Sequence, residues 1–139
     1  ATIRSERGAP VFNVTEVRFT RISRKEITDW VAWRDARINF KVENAQFLPA
    51  VVEGRGALSR ARFAIVNNTA YSYFEPRFVV ELMRGSQLVG IQSVVVEKFR
   101  AGERREVEVS WFDRIGAVSA IEVAPEINIL NPEVYMRPQ

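Results

Sequence analysis

Glu106 and Glu108 are the nearest approach this 139-residue chain makes to a catalytic carboxylate pair. On one face of a strand they would stand about 7 Å apart, a spacing at which a glycosidase can operate. They alternate with Val107, Val109 and Trp111, however, so a strand that buries the apolar set turns both acids to water. Other chemistries fare no better. The chain has no histidine and no cysteine, which removes the commonest general base, the softest nucleophile and the commonest metal ligands. Ser59, Ser72 and Ser93 therefore have no imidazole to activate them, and Lys25, Lys41 and Lys98 stand in no serine–lysine motif. Gly54-Arg55-Gly56 lacks the lysine and the strand-to-helix setting of a phosphate loop. Calcium sites in sandwich modules gather acids in end loops; here the densest grouping, Glu103 to Glu108, is interrupted by Arg104 and Arg105. Glu97 and Asp113 sit near turns. The expectation is a protein that is not an enzyme and takes no metal or other cofactor.

Recognition is the chemistry that remains. Tyr71-Ser72-Tyr73-Phe74 reads as an aromatic loop between two strands with arginines close by, the composition that binding surfaces use. Trp30 and Trp33 form a second aromatic pair. Tyr71, Tyr73, Phe74, Trp30 and Trp33 are accordingly the candidate partner-binding residues. The competing reading is that Tyr73 or Phe74 closes the end of the fold and the tryptophans serve packing. The triplets at Asn13 and Asn67 match the glycosylation acceptor pattern and also have ordinary turn chemistry.

Charge narrows the partner. Twenty basic residues face 17 acidic ones, for a net charge of +3, and the arginines are interleaved with acids instead of forming a stripe. A nucleic-acid face would cluster them, so no nucleic acid is expected. No run approaches 18 apolar residues, so a membrane is reached only through a segment not present in this chain. The chain begins at Ala1, which is compatible with processing or truncation.

The elements that must position these residues read as strands. Residues 1–10 carry no period. Residues 11–20 alternate, with Phe12 and Val14 in one phase, Val17 and Phe19 in the other, and a bulge near Glu16 to join them. Residues 23–37 admit two readings. Ser23 and Glu26 fit a capping box that opens a helix, while Trp30 to Trp33 has the aromatic and β-branched content of a strand. Ile38, Phe40 and Val42 form a half-buried strand ending at Asn44. Residues 47–52 suggest an edge strand interrupted by Pro49.

Beyond the glycines at 54 and 56, three inward sets follow: Ala61, Phe63 and Ile65; Phe78, Val80 and Leu82; Val107, Val109 and Trp111. Gly85 and Gly102 mark turns, and the Val94 to Val96 run suggests burial on both sides or a twist. Residues 118–123 and 127–130 supply the last β stretches, separated by Pro125. Short strands with turn signals every 8 to 12 residues indicate a sandwich or barrel, whose exposed edges beside Pro49 and after Pro125 invite strand addition.

Several motifs line up in a recognisable order: Val66-Asn67-Asn68-Thr69, then Val80-Glu81-Leu82-Met83-Arg84-Gly85 and Leu88-Val89-Gly90. Phe99-Arg100-Ala101-Gly102-Glu103, Val107 to Trp111, and the closing runs from Ile121 and Asn131 continue it. Over residues 38–136 the chain resembles the FxLYD-type immunoglobulin-like domains of bacterial membrane-anchored extracytoplasmic proteins, keeping Leu82 and Gly85 of the naming motif. The resemblance implies an all-β, immunoglobulin-like antiparallel β-sandwich of about seven strands, spanning residues 37–136. Residues 1–36 would be an N-terminal arm or the remnant of a preceding module, with room for one short helix. It further implies a non-catalytic extracytoplasmic interaction or spacer module of a cell-envelope protein, beside a protein partner or neighbouring module. The alternative is a subunit of a filament or membrane-associated assembly that docks through its N-terminal arm.

Overall fold

A computed structural model describes residues 27–50, 58–112 and 114–137. The strand expected at 11–20 and the capping box at 23–26 lie outside the described residues, as do Val51 and Val52.

An eight-residue helix, α1 (Trp30–Arg37), precedes six strands. These are β1 (Phe40–Leu48), β2 (Ser59–Asn67), β3 (Arg77–Arg84), β4 (Gln87–Val95), β5 (Arg104–Trp111) and β6 (Ala120–Glu126). They form two three-stranded sheets in the orders β1-β2-β5 and β4-β3-β6, with every pair antiparallel. The fold is an all-β sandwich. Its strand order follows the immunoglobulin pattern, with β1, β2 and β5 in the places of strands A, B and E, and β3 and β6 in those of C and F. Within β4–β3 the two-residue turn at Gly85 takes φ 61°, a left-handed conformation that suits glycine.

The core forms where the inward rows meet. Ala61, Phe63 and Ile65 of β2, Phe78, Val80 and Leu82 of β3, and Val107, Val109 and Trp111 of β5 are all buried in one cluster. These are the three sets that period two selects. Each large side chain taken from water contributes about 1.5–3 kcal/mol, so these rows dominate the stability of the sandwich.

Four sequence expectations are corrected. First, Trp30 to Trp33 is helix and not strand: α1 is capped by Asp29, whose Oδ1 accepts from the Ala32 N–H at 3.2 Å. Trp30 and Trp33 pack against the sandwich. Second, β1 runs past Asn44 to Leu48, because Asn44 adopts φ 55° at a register shift between Glu43 and Gln46. Asparagine tolerates that left-handed backbone better than most residues. Pro49 follows the end of β1.

Third, the Val94 to Val96 run is not buried on both sides: β4 is an edge strand, and Val95 is exposed while Val96 is buried. Fourth, Pro125 does not separate two β stretches, and residues 127–130 form no strand. Pro125 lies inside β6, paired with Phe78; β6 is an edge strand, where a missing N–H is tolerated on the outer side. The chain then curls instead of extending. Asn128 accepts the Leu130 N–H through Oδ1 at 3.2 Å, and the Asn131 N–H bonds the Asn128 carbonyl at 3.0 Å. Asparagine turn chemistry overrides the β propensity of Ile127, Ile129 and Leu130, which are buried beneath the turn.

Candidate functional site

The end of the sandwich at which β3 begins gathers α1, the 67–76 loop and the segment after β6. The loop is built around Asn67, which is fully buried. Its Nδ2 donates to the carbonyls of Tyr71 at 2.8 Å and Arg100 at 3.1 Å. Its Oδ1 accepts from the Thr69 N–H at 3.0 Å and the Thr69 hydroxyl at 2.7 Å. A buried amide with all these bonds made fixes the turn, since any alternative backbone path strands one of them.

The aromatic residues that follow are stapled on both sides. Tyr73 and Phe99 exchange backbone N–H···O bonds of 2.8 Å each way. Opposite them, the Phe74 N–H bonds the Val134 carbonyl at 3.0 Å and the Met136 N–H bonds the Ser72 carbonyl at 2.8 Å. The loop is therefore a scaffolded platform.

Between this platform and α1 lies a cleft of about 410 Å³, lined by Trp33, Arg37, Tyr71, Ile129, Pro132 and Tyr135 among others. Helical spacing places Arg37 one turn beyond Trp33. The Arg37 guanidinium carbon sits 3.8 Å from the Trp33 ring centroid and 4.5 Å from that of Tyr71. Its Nη1 donates to the Trp33 carbonyl at 3.1 Å. The guanidinium thus lies over two aromatic rings, a geometry worth about 0.5–2 kcal/mol per contact. Arg37 makes no ion pair among the described residues.

Tyr135 closes the floor, with ring centroids 5.7 Å from Tyr71 and 5.2 Å from Tyr73. Its hydroxyl donates to the Ile129 carbonyl at 2.6 Å, and the Tyr73 hydroxyl donates to the Arg37 carbonyl at 2.6 Å. Burial pushes the Tyr135 phenol up to about 12, against the opposing pull of the Arg37 charge. Burial raises the Tyr73 phenol as well. Both remain protonated donors at neutral pH, so among the described residues the cleft carries one cation on an otherwise uncharged aromatic wall.

Of the five candidates from sequence, Trp33 and Tyr71 line the cleft. Trp30 stacks on Trp33 at 5.6 Å and an interplanar angle of 21°. Tyr73 is fully buried, so it supports the platform from beneath and is not available to a partner. Phe74 is exposed but does not line the cleft. Sequence reasoning missed Arg37 and Tyr135. The Trp33/Arg37 spacing of four was the available signal for the first. Nothing in the sequence brings Tyr135 to Tyr73, because that contact depends on the turn after β6.

The acids take other roles. Glu108 pairs with Arg62 at 3.1 Å and Arg60 at 3.7 Å, and Glu106 with Arg104 at 3.3 Å. Hydrogen bonds from Arg104 and Lys41 hold the Glu43 carboxyl below its ordinary range. These pairs lie on the outer face of the β1-β2-β5 sheet. Among the described residues no three acids converge where they could hold a metal ion, and no helix is long and apolar enough to cross a membrane. No family model, no curated protein and no solved structure matches the chain.

Proposed function

We propose that the chain is a non-catalytic interaction module of an extracytoplasmic cell-envelope protein, a reading that its likeness to FxLYD-type motifs supports, and that it holds a protein partner at the α1 end of the sandwich. The observation that carries the reading is the cleft between α1 and the Tyr71 platform. Trp33, Tyr71 and Tyr135 present rigid aromatic surface, and Arg37 offers a charge held in place before any partner arrives. Tryptophan, tyrosine and arginine are the residue types that dominate interface energies, and immobilising them in advance lowers the entropy lost on binding. The absence of histidine and cysteine supports binding over turnover.

The test is site-directed photo-crosslinking in the native host with a photoreactive residue at Ala70, on the cleft rim, or at Ser86, in the β3–β4 turn at the other end. A discrete adduct from Ala70, lost when Tyr71 and Trp33 are replaced by alanine and not seen from Ser86, is the expected result. Equal adducts from both ends, or adducts from Ser86 alone, would move the partner off the cleft.

A further inference from the structure

The two sides of the sandwich are not covered equally. On one side the inward row of β5 is buried to its end at Trp111. On the other, the inward residues of β1 and β6, Phe40, Val42, Ile121 and Val123, are only half-buried although they pack on the core. A cavity of about 230 Å³ opens there between the two edge strands. It is lined by Phe40, Val42, Val123 and Pro125 and reaches the core residues Ile65 and Phe78. Among the described residues β1 pairs only with β2 and β6 only with β3. In the immunoglobulin pattern a last strand, G, runs beside F, the place that β6 holds here. The described segment after β6 does not take that place, because it turns beneath the Tyr73 loop. The sandwich is thus one strand short, among the described residues, at the point where its core is open.

We propose that this slot seats residues 11–20 of the same chain, which lie outside the described residues. Their sequence fits the opening. Phe12 and Val14 stand in one phase and Val17 and Phe19 in the other, and one bulge at Glu16 brings all four to a single face. That face supplies the large apolar side chains the slot lacks. Polar or charged Asn13, Thr15 and Arg18 then turn to water, as a covering strand requires.

The connection is long enough. Nine residues, and so ten Cα-to-Cα steps, lie between Thr20 and Trp30, a reach of up to about 33 Å. The eight-residue α1 is only about 12 Å long and ends beside Ile38 and Asn39 at the mouth of the slot. The segment leads into α1, so it runs toward the α1 end, antiparallel to β1. A tether of this length gives an effective concentration in the millimolar range, which favours the chain's own segment over that of a second copy.

The absence of cysteine makes disulfide trapping on the full chain clean. Val17→Cys is combined with Val42→Cys, with Val123→Cys, and with Leu88→Cys on the remote edge strand β4. Mild oxidation is expected to close the 17–42 or the 17–123 pair within one chain at least tenfold faster than 17–88. Disulfides formed between chains would assign the slot to a second copy and overturn the proposal, as would equal rates for all three pairs. Should the cysteine variants fail to fold, amide exchange of the unmodified chain decides the same question. Protection of alternate amides within residues 12–19 by at least a hundredfold is expected, and exchange at the free-peptide rate would overturn the proposal.

Discussion

The hydroxyl of Tyr73 donates a 2.6 Å hydrogen bond to the carbonyl of Arg37, the last residue of α1. Tyr73 is fully buried, so the bond ties the helix that carries the cleft's cation to the β-sandwich itself. Tyr73→Phe keeps the ring and removes the tie. The expected loss is about 1–2 kcal/mol of global stability, read as a lower urea midpoint at unchanged slope. Faster amide exchange in α1 than in β3 should accompany it, because the helix loses an anchor that the strand does not use.

Asn67 offers a sharper contrast. Its side chain bonds two carbonyls and both donors of Thr69. Asn67→Ala leaves those groups without their partner around a fully buried position, so a loss of about 3 kcal/mol or more is expected. Asn67→Asp keeps the shape and the acceptor but puts a carboxylate oxygen against the Tyr71 and Arg100 carbonyls. It should destabilise by a similar amount at neutral pH and by less below about pH 4, where a protonated carboxyl can donate again. Urea melts at the two pH values separate the cases.

What the sequence revealed follows from the range of the forces involved. The inward rows of β2, β3 and β5 were legible because alternation is a local signal and both sheets bury one face. The fate of Ile127, Ile129 and Leu130 was not. Their composition favours a strand, and only Asn128 and Asn131, acting through turn bonds, decide otherwise. β1 was cut short for a related reason: Asn44 looks like a terminator, yet its φ of 55° absorbs a bulge and the ladder resumes at Gln46. At the candidate site the aromatic residues stood out by type, but the pairing of Tyr135 with Tyr73 joins positions 62 apart in number and leaves no local trace.

Phe40 is the residue on which both clusters depend. It packs against the main core and against the Tyr73 cluster, with ring centroids 5.2 Å from Phe78 and 6.0 Å from both Tyr73 and Phe99. Phe40→Ala should cost about 3 kcal/mol as a large-to-small change. It should also separate the two clusters, so that near-ultraviolet tyrosine dichroism is lost before the tryptophan signal of Trp111 on heating. Phe40→Leu, which keeps most of the volume, should restore a single transition.

The tyrosines of the platform also predict how the fold ends at high pH. Burial raises the phenols of both Tyr73 and Tyr135, the latter to about 12, while in the unfolded chain each ionises near pH 10. A raised folded value means the native state resists losing the proton. The contribution is therefore complete below about pH 10 and declines as pH climbs through the folded value, since the unfolded chain deprotonates first. The protein should hold its stability to about pH 10 and lose it between about pH 10 and 12. Phenolate absorbance of these two residues is expected to rise together with the loss of near-ultraviolet dichroism, and the Tyr135→Phe variant should show a shallower alkaline decline. Ionisation of Tyr73 and Tyr135 near pH 10 with the fold intact would mean that the platform is open to water, and that the cleft is not the rigid aromatic surface described above.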